Sequence, residues 1–241
     1  MCCIVYRDHV LRYSGTLQQH RQDICNILEA IRGWGMKVKS SKWEFHQSEK
    51  KYLGFIIGEE GVKTDPVKTP AIWDWTKRQM IKEIYCFPGF CTLYPQFIAG
   101  FSRTVRPLYI PRKRQCISKW EWEDKKQQAF HELRTKLTTA AVLVYFDPQA
   151  PTKIEADASK YVCSRILWQQ CQDRKWRPVA YRSKTMSDAE CKYDIHKKEL
   201  LAIVQGFHQW KQCAAGGLKP FRLLTHHKDF VTFMTTKELS E

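Results

Sequence analysis

The sequence is short of acid: 25 Asp and Glu stand against 40 Lys and Arg, leaving a formal net charge of +15 over 241 residues. A field of that sign draws polyanions to the surface, so nucleic acid is the expected partner, held without sequence preference, although charge alone equally fits a merely basic protein. The chain has ten cysteines, but no Cys-x-x-Cys spacing and no secretory leader. That excludes a zinc ribbon and a disulfide framework, and it fits a reducing, intracellular compartment. Long apolar runs are missing too. Nothing approaches the roughly 18 residues of a membrane span, so a soluble chain without a membrane partner is expected. Internal repeats and low-complexity tracts are also absent.

What is present is apolar mass. Hydrophobic residues make up 43% of the chain and aromatics 13%, enough to bury a core and to argue against disorder. Residues Cys2–Tyr6 and Val10–Tyr13 form two β-prone runs around Arg7, Asp8 and His9, the pattern of a hairpin with a carboxylate at its turn. Leu17, Ile24, Ile27, Leu28 and Ile31 keep a helical period that Gly33 and Gly35 stop. Trp43–Phe45, Tyr52–Ile57 and Gly61–Lys63 read as strands. From Pro66 to about Arg114 the period is helical again, with Pro88 and Pro95 forcing a kink or break at about 3 kcal/mol each. A helix over Trp122–Leu137 precedes a linker at Asp147–Pro151. Three strands follow, Lys153–Ala156, Val162–Gln169 and Trp176–Ser183. A long helix is expected from a capping-box start at Ser187-Asp188-Ala189-Glu190 to about Gln212, then a strand Phe221–Thr225 and a short terminal helix.

Seven short motifs then fall in one order and spacing. Val5-Tyr6-Arg7-Asp8-His9 resembles the Tyr-x-Asp-Asp hairpin of a polymerase palm, and Tyr52-Leu53-Gly54-Phe55-Ile56-Ile57 with Gly61-Val62 resembles a primer-grip hairpin. Phe87-Pro88-Gly89-Phe90 with Tyr94 resembles a thumb segment, and Phe146-Asp147-Pro148 resembles the start of an RNase H. Asp157-Ala158-Ser159 resembles the first RNase H strand, Tyr193–Ala202 its catalytic helix, and Thr225-His226-His227-Lys228 its Thr-Asp-His-Lys signature. Over almost its whole length the chain resembles gypsy-type long-terminal-repeat retrotransposon polymerases. The resemblance implies an α/β (α+β) fold in three parts: a reverse transcriptase palm remnant over 1–65, thumb and connection helices over 66–148, and an RNase H-like domain over 149–241, expected to be truncated at its C-terminus.

The family activities it implies are RNA-directed DNA polymerisation and hydrolysis of RNA in RNA-DNA hybrids. Both use two divalent ions about 3.5–4 Å apart to clamp the attacking and leaving oxygens, and Mg²⁺ takes an octahedral shell of oxygens, so carboxylates are obligatory. Of these ligands Asp8, Asp157 and Glu199 stand at matching positions. His9 replaces the second carboxylate of the hairpin and His226 the third of the RNase H, and a nitrogen there suits zinc or nickel better than magnesium. The remaining palm ligand and the fourth RNase H acid are expected to lie beyond the two ends. The expectation is therefore a family Mg²⁺ site not filled productively, with catalysis lost. The alternative is an inactive module that still holds RNA-DNA hybrid or duplex nonspecifically. In that role Tyr6, Leu53, Gly54 and the run Arg112-Lys113-Arg114 are the candidate nucleic-acid contacts, against the plainer view of the basic run as a solvated face. Of Tyr52, Phe55, Trp73, Trp75, Phe87 and Phe90, most are expected in the core rather than stacked on bases. Ser164 and Arg165 depart from the small residues of the family's second RNase H strand, and Arg165 is expected to need solvent or an acidic partner.

Overall fold

Aliphatic residues pair along a first hairpin in the computed structural model, which describes residues 2–6, 9–65, 87–109, 123–217 and 219–225. Strands β1 (Cys2–Tyr6) and β2 (His9–Tyr13) run antiparallel, with Val5 opposite Val10. Helix α1 (Leu17–Gly33) starts at Thr16, whose extended backbone lets its hydroxyl accept from the Gln19 amide at 3.2 Å. Gly35 ends it in the left-handed region, with the Trp34 and Met36 amides closing on the last turns. What α1 buries is Asp23 rather than an apolar residue. Its carboxylate accepts from Arg12 Nε at 2.8 Å, Ser14 Oγ at 2.6 Å and Gln19 Nε2 at 3.0 Å, fastening the helix to β2.

The strand expected at Trp43–Phe45 does not form: a 3-10 turn (Ser40–Lys42) leads into irregular chain, and His46 at φ 55 turns it away from extension. The single strand expected over Tyr52–Ile57 is instead two, β3 (Glu49–Tyr52) and β4 (Phe55–Gly58), joined by Leu53 at φ 51 and Gly54 at φ 86. Two successive positive φ values make the tight turn whose twist matches a hairpin. Contact density divides the chain into two units, Met1–Glu59 and Glu60–Glu241.

In the second unit β5 (Gly61–Thr64) exchanges hydrogen bonds with Leu143, from the Val62 amide at 2.8 Å and back at 3.0 Å. The long helix expected from Pro66 falls partly outside the described residues; between 87 and 109 it is broken into short pieces. These are a helical turn at 87–91, a 3-10 turn (Pro95–Phe97), helix α2 (Phe101–Val105) and a 3-10 turn (Arg106–Leu108). Pro95 heads its turn, where a missing amide costs nothing. Phe87, Tyr94, Phe97, Ile98, Phe101, Val105 and Leu108 are all buried, as are Phe130, Leu133 and Leu137 of helix α3 (Asp124–Thr138). The Phe87 and Phe130 rings lie 4.5 Å apart, which puts Phe87 in the core as expected.

The segment expected as a linker, Asp147–Pro151, is tied down by one side chain. Buried Gln169 accepts from the Asp147 amide at 2.7 Å and donates to the Asp147 carbonyl at 2.7 Å and to Thr152 Oγ1 at 2.9 Å. Beyond it, β6 (Thr152–Ala158), β7 (Val162–Gln170), β8 (Trp176–Thr185) and β9 (Arg222–Thr225) form one sheet in the order β8-β7-β6-β9. The first three are antiparallel neighbours, and β9 lies parallel to β6. Residues of β6 alternate strictly between buried and half-buried. Ile154, Ala156, Ala158, Cys163 and Leu167 are buried, and Ala202 and Ile203 of helix α4 (Ile195–Gln209) pack with Ala156, Ala158 and Cys163.

Helix α4 begins eight residues later than the capping-box signal suggested. The box does form: the Ser187 amide donates to Glu190 Oε2 at 2.6 Å, and the Glu190 amide donates to Ser187 Oγ at 3.3 Å. It closes only a 3-10 turn (Glu190–Lys192), after which Tyr193 and Asp194 are extended. The helix also stops short of Gln212, at Trp210, and a separate helix α5 (Lys211–Gly216) follows.

Candidate active site

Asp157 sits near the end of β6, half-buried, opposite Ser164 of β7. Glu199 projects from the second turn of α4 and is only 4% exposed. Its Oε1 accepts a hydrogen bond from the backbone amide of Ala158 at 3.2 Å. The helix carboxylate therefore rests against the peptide bond that follows Asp157. On the other side of β6, Ala156 is the register partner of Thr225, the last described residue of β9. The sheet thus brings three chain segments together at one edge: the end of β6, the second turn of α4 and the end of β9.

Asp8, His226, His227 and the run Arg112-Lys113-Arg114 lie outside the described residues. His9 heads β2, its ring 6.4 Å from that of Tyr52 in an edge-on arrangement. Leu53 and Gly54 form the two-residue tip of the β3–β4 turn, with Leu53 exposed. Tyr6 closes β1 opposite His9.

Among the described residues no three His, Cys, Asp or Glu side chains converge as a group able to hold a metal ion. Asp157 and Glu199 supply two carboxylates, and one Glu199 oxygen is engaged by the Ala158 amide. Two dications with octahedral shells need more oxygen ligands than that pair offers. The donor set among the described residues does not fit a two-ion centre.

Arg165 departs from expectation. It is buried, and among the described residues it reaches no carboxylate: Nη1 donates to the neutral Gln205 Oε1 on α4 at 3.0 Å, and Nε has no hydrogen-bond partner there. Burial pulls its pKa below the usual guanidinium value. Gly206 makes room, since a Cβ there would come within 3.5 Å of Arg165 Cδ and 3.3 Å of Ile154 Cγ2. The sequence reading missed Gln205, although a polar residue next to Ala202, Ile203 and Gly206 on the packed face of a helix is the kind of signal that marks a buried polar partner. The same low-dielectric pocket pushes the Cys163 thiol up to about 11.

The sheet is mixed, in the order β8-β7-β6-β9, and a glutamate of helix α4 meets the backbone of β6. Residues 122–223 match the family model of the RNase H-like domain found in reverse transcriptase. The chain is 28% identical over 238 residues to the Tf2-7, Tf2-8 and Tf2-11 transposon polyproteins of Schizosaccharomyces pombe. That similarity covers 99% of this chain and 18% of each polyprotein, so the chain spans less than a fifth of the length of those relatives. Its fold is similar to that of the foamy viral protease-reverse transcriptase solved with double-stranded DNA, at a TM-score of 0.76 and 21% identity, over 98% of this chain and 42% of that one. The same viral protein solved with an RNA/DNA hybrid aligns at a TM-score of 0.74 and 20% identity, over 99% of this chain and 32% of that one. Divalent metal use is general to reverse transcriptases and their RNase H-like domains. No helix among the described residues is long and apolar enough to cross a membrane.

Proposed function

We propose that this chain is a gypsy-type reverse transcriptase and RNase H piece that holds nucleic-acid duplexes without cleaving or extending them. On this reading residues 1–65 correspond to the palm, 66–148 to the thumb and connection, and 149–241 to the RNase H-like domain. Asp8, Asp157 and Glu199 descend from metal ligands. Tyr6, Leu53, Gly54 and Arg112–Arg114 belong to the surface that meets the duplex.

One observation carries the reading. Glu199 meets the Asp157–Ala158 peptide at the sheet edge where β9 ends, and the residue following β9, where the third carboxylate belongs, is His226. An imidazole at that position cannot supply the anionic oxygen that two clustered dications require. The excess of 40 basic over 25 acidic residues supports retention of a polyanion after turnover is lost.

The test combines calorimetry with Mg²⁺ and Mn²⁺ on the wild-type chain and on His226→Asp with a labelled RNA-DNA hybrid. Wild type is expected to bind the hybrid in a salt-sensitive way, leave it intact and take up little metal, and His226→Asp is expected to gain metal affinity. Magnesium-dependent cleavage of the hybrid by the wild-type chain would overturn the loss of catalysis. Failure to retain the hybrid at low salt would overturn the binding role.

A further inference from the structure

We propose that Arg106, Tyr161 and Lys160 form a phosphate-binding platform beside the Asp157 turn, which grips the backbone of a nucleic-acid strand laid across the candidate site. The proposal rests on the reading of the chain as a duplex-holding module and names a specific place where the hold is made.

The guanidinium carbon of Arg106 lies 4.1 Å from the centroid of the Tyr161 ring, and Lys160 Nζ lies 5.4 Å from the same centroid. Two cations thus share one aromatic ring. Tyr161 is 38% exposed, and both cations are exposed. Among the described residues neither cation makes an ion pair or a side-chain hydrogen bond. The ring attracts both cations, and an anion bound beside it is attracted by both charges. A guanidinium stacked on a ring keeps its N–H donors in its own plane, directed outward, and that fork matches two phosphate oxygens.

The platform is fixed on both sides. The Ser159 amide donates to the Val162 carbonyl at 2.9 Å, the Val162 amide donates to Ser159 Oγ at 3.2 Å, and the Met186 amide donates to the Tyr161 carbonyl at 2.8 Å. The turn between β6 and β7 is therefore closed, and Lys160 and Tyr161 hold defined places three and four residues past Asp157. Arg106 comes from the segment before the RNase H-like sheet, where its neighbours Val105 and Leu108 are 1% and 2% exposed and anchor its backbone. A strand lying on this platform would meet the end of β6, where Asp157 lies and where Glu199 accepts from the Ala158 amide. Because the contacts are to phosphate, they carry no sequence preference.

The experiment is fluorescence anisotropy of a labelled RNA-DNA hybrid on the full chain across a salt series, for wild type, Arg106→Gln, Lys160→Gln, Tyr161→Leu, Tyr161→Phe and Arg177→Gln. Each lost phosphate contact lowers the slope of log affinity against log salt by about one, which is roughly five- to tenfold in affinity near 0.1 M salt. Arg106→Gln and Lys160→Gln are expected to show that loss. Tyr161→Leu keeps both charges and is expected to weaken binding at least as much as either, whereas Tyr161→Phe keeps the ring and binds as wild type. Arg177 is spent on Asp173 through contacts of 3.1 and 2.7 Å, so Arg177→Gln should leave the slope unchanged. Melting curves of the surface variants should coincide with that of wild type.

Wild-type affinity and slope in both charge variants, with the hybrid still held, would overturn the platform alone. Wild-type binding in Tyr161→Leu alongside losses in the charge variants would overturn the role of the ring. A wild-type chain that does not retain the hybrid would bring down the duplex-holding reading and the platform with it.

Discussion

The backbone amide of Ala158 donates to Oε1 of Glu199 across 3.2 Å, tying strand β6 to helix α4 through a buried carboxylate. This bond makes Glu199 structural whether or not a metal is ever bound. Replacing it with alanine removes the acceptor from a buried amide, a loss of about 1–3 kcal/mol, whereas glutamine keeps a carbonyl oxygen in reach. Glu199→Ala is therefore expected to unfold at lower denaturant than wild type and Glu199→Gln near the wild-type midpoint. Equal midpoints for Glu199→Ala and wild type would remove the structural role.

Acid sensitivity in the first unit should trace to Asp23. Arg12, Ser14 and Gln19 all donate to its carboxylate, and the Arg12 guanidinium, which also pairs with it, is the largest cause holding its pKa down at about 2. A carboxylate with a depressed folded value stabilises the fold at every pH above its ordinary unfolded value near 3.8. That contribution fades as pH falls from there through about 2, when the native carboxylate finally takes a proton. Thermal melts of wild type and Asp23→Asn should differ most at pH 5 and above and converge toward pH 2. A gap that is constant with pH would show that the ionised form contributes nothing particular.

Strand β6 was legible because it obeys one rule. Thr152 to Ala158 alternates between buried and half-buried, and the sequence alternates to match, so this strand and the sheet it joins could be expected from periodicity. Where a position breaks its usual chemistry, the reading failed. Leu53 adopts φ 51, a region that costs a leucine roughly 1–2 kcal/mol, so nothing in an apolar run announced the turn inside Tyr52–Ile57. The capping box at Ser187 gave a correct local structure but not the helix start, because Tyr193 returns to an extended backbone at ψ 148. The Asp23 network and the Arg106–Tyr161 contact join residues 11 and 55 positions apart, which no local pattern encodes.

Gly61 is required by its surroundings. Its φ of 136 lies where side chains are rarely found, and a Cβ added there would run into the Leu143 carbonyl that accepts from the Val62 amide. Gly61→Ala must either strain the backbone or break the Val62–Leu143 bridge, at a cost of about 1–3 kcal/mol. Thermal unfolding should show the drop, and amide exchange at Val62 should accelerate in the variant. Gly89, with nothing within 4 Å of its Cβ position, is the matched comparison: Gly89→Ala should be neutral or slightly stabilising within its helical turn. A wild-type melt for Gly61→Ala would refute the close approach.

Arg165 makes the opposite kind of prediction, a stabilising loss. Its guanidinium is buried between β7 and α4, and among the described residues its partner is the neutral Gln205 and its Nε has no acceptor. Desolvating a charge without a counter-ion is unfavourable, and burial already pulls its pKa down. Methionine matches the length of the aliphatic stem, keeps contact with the floor at Gly206 and carries no charge, and replacing buried charged groups by such side chains is commonly neutral or stabilising, by about 1–4 kcal/mol. Arg165→Met should thus melt at or above the wild-type temperature. Gln205→Leu should melt lower, because it strips the guanidinium of its acceptor and leaves the charge in place, at a cost of about 1–3 kcal/mol. In the double variant the second substitution should become almost harmless, since the group it would have orphaned is gone. If Arg165→Met destabilised as strongly as Gln205→Leu, the guanidinium would be a net contributor to the fold, and its presence in the strand would have a structural reason after all.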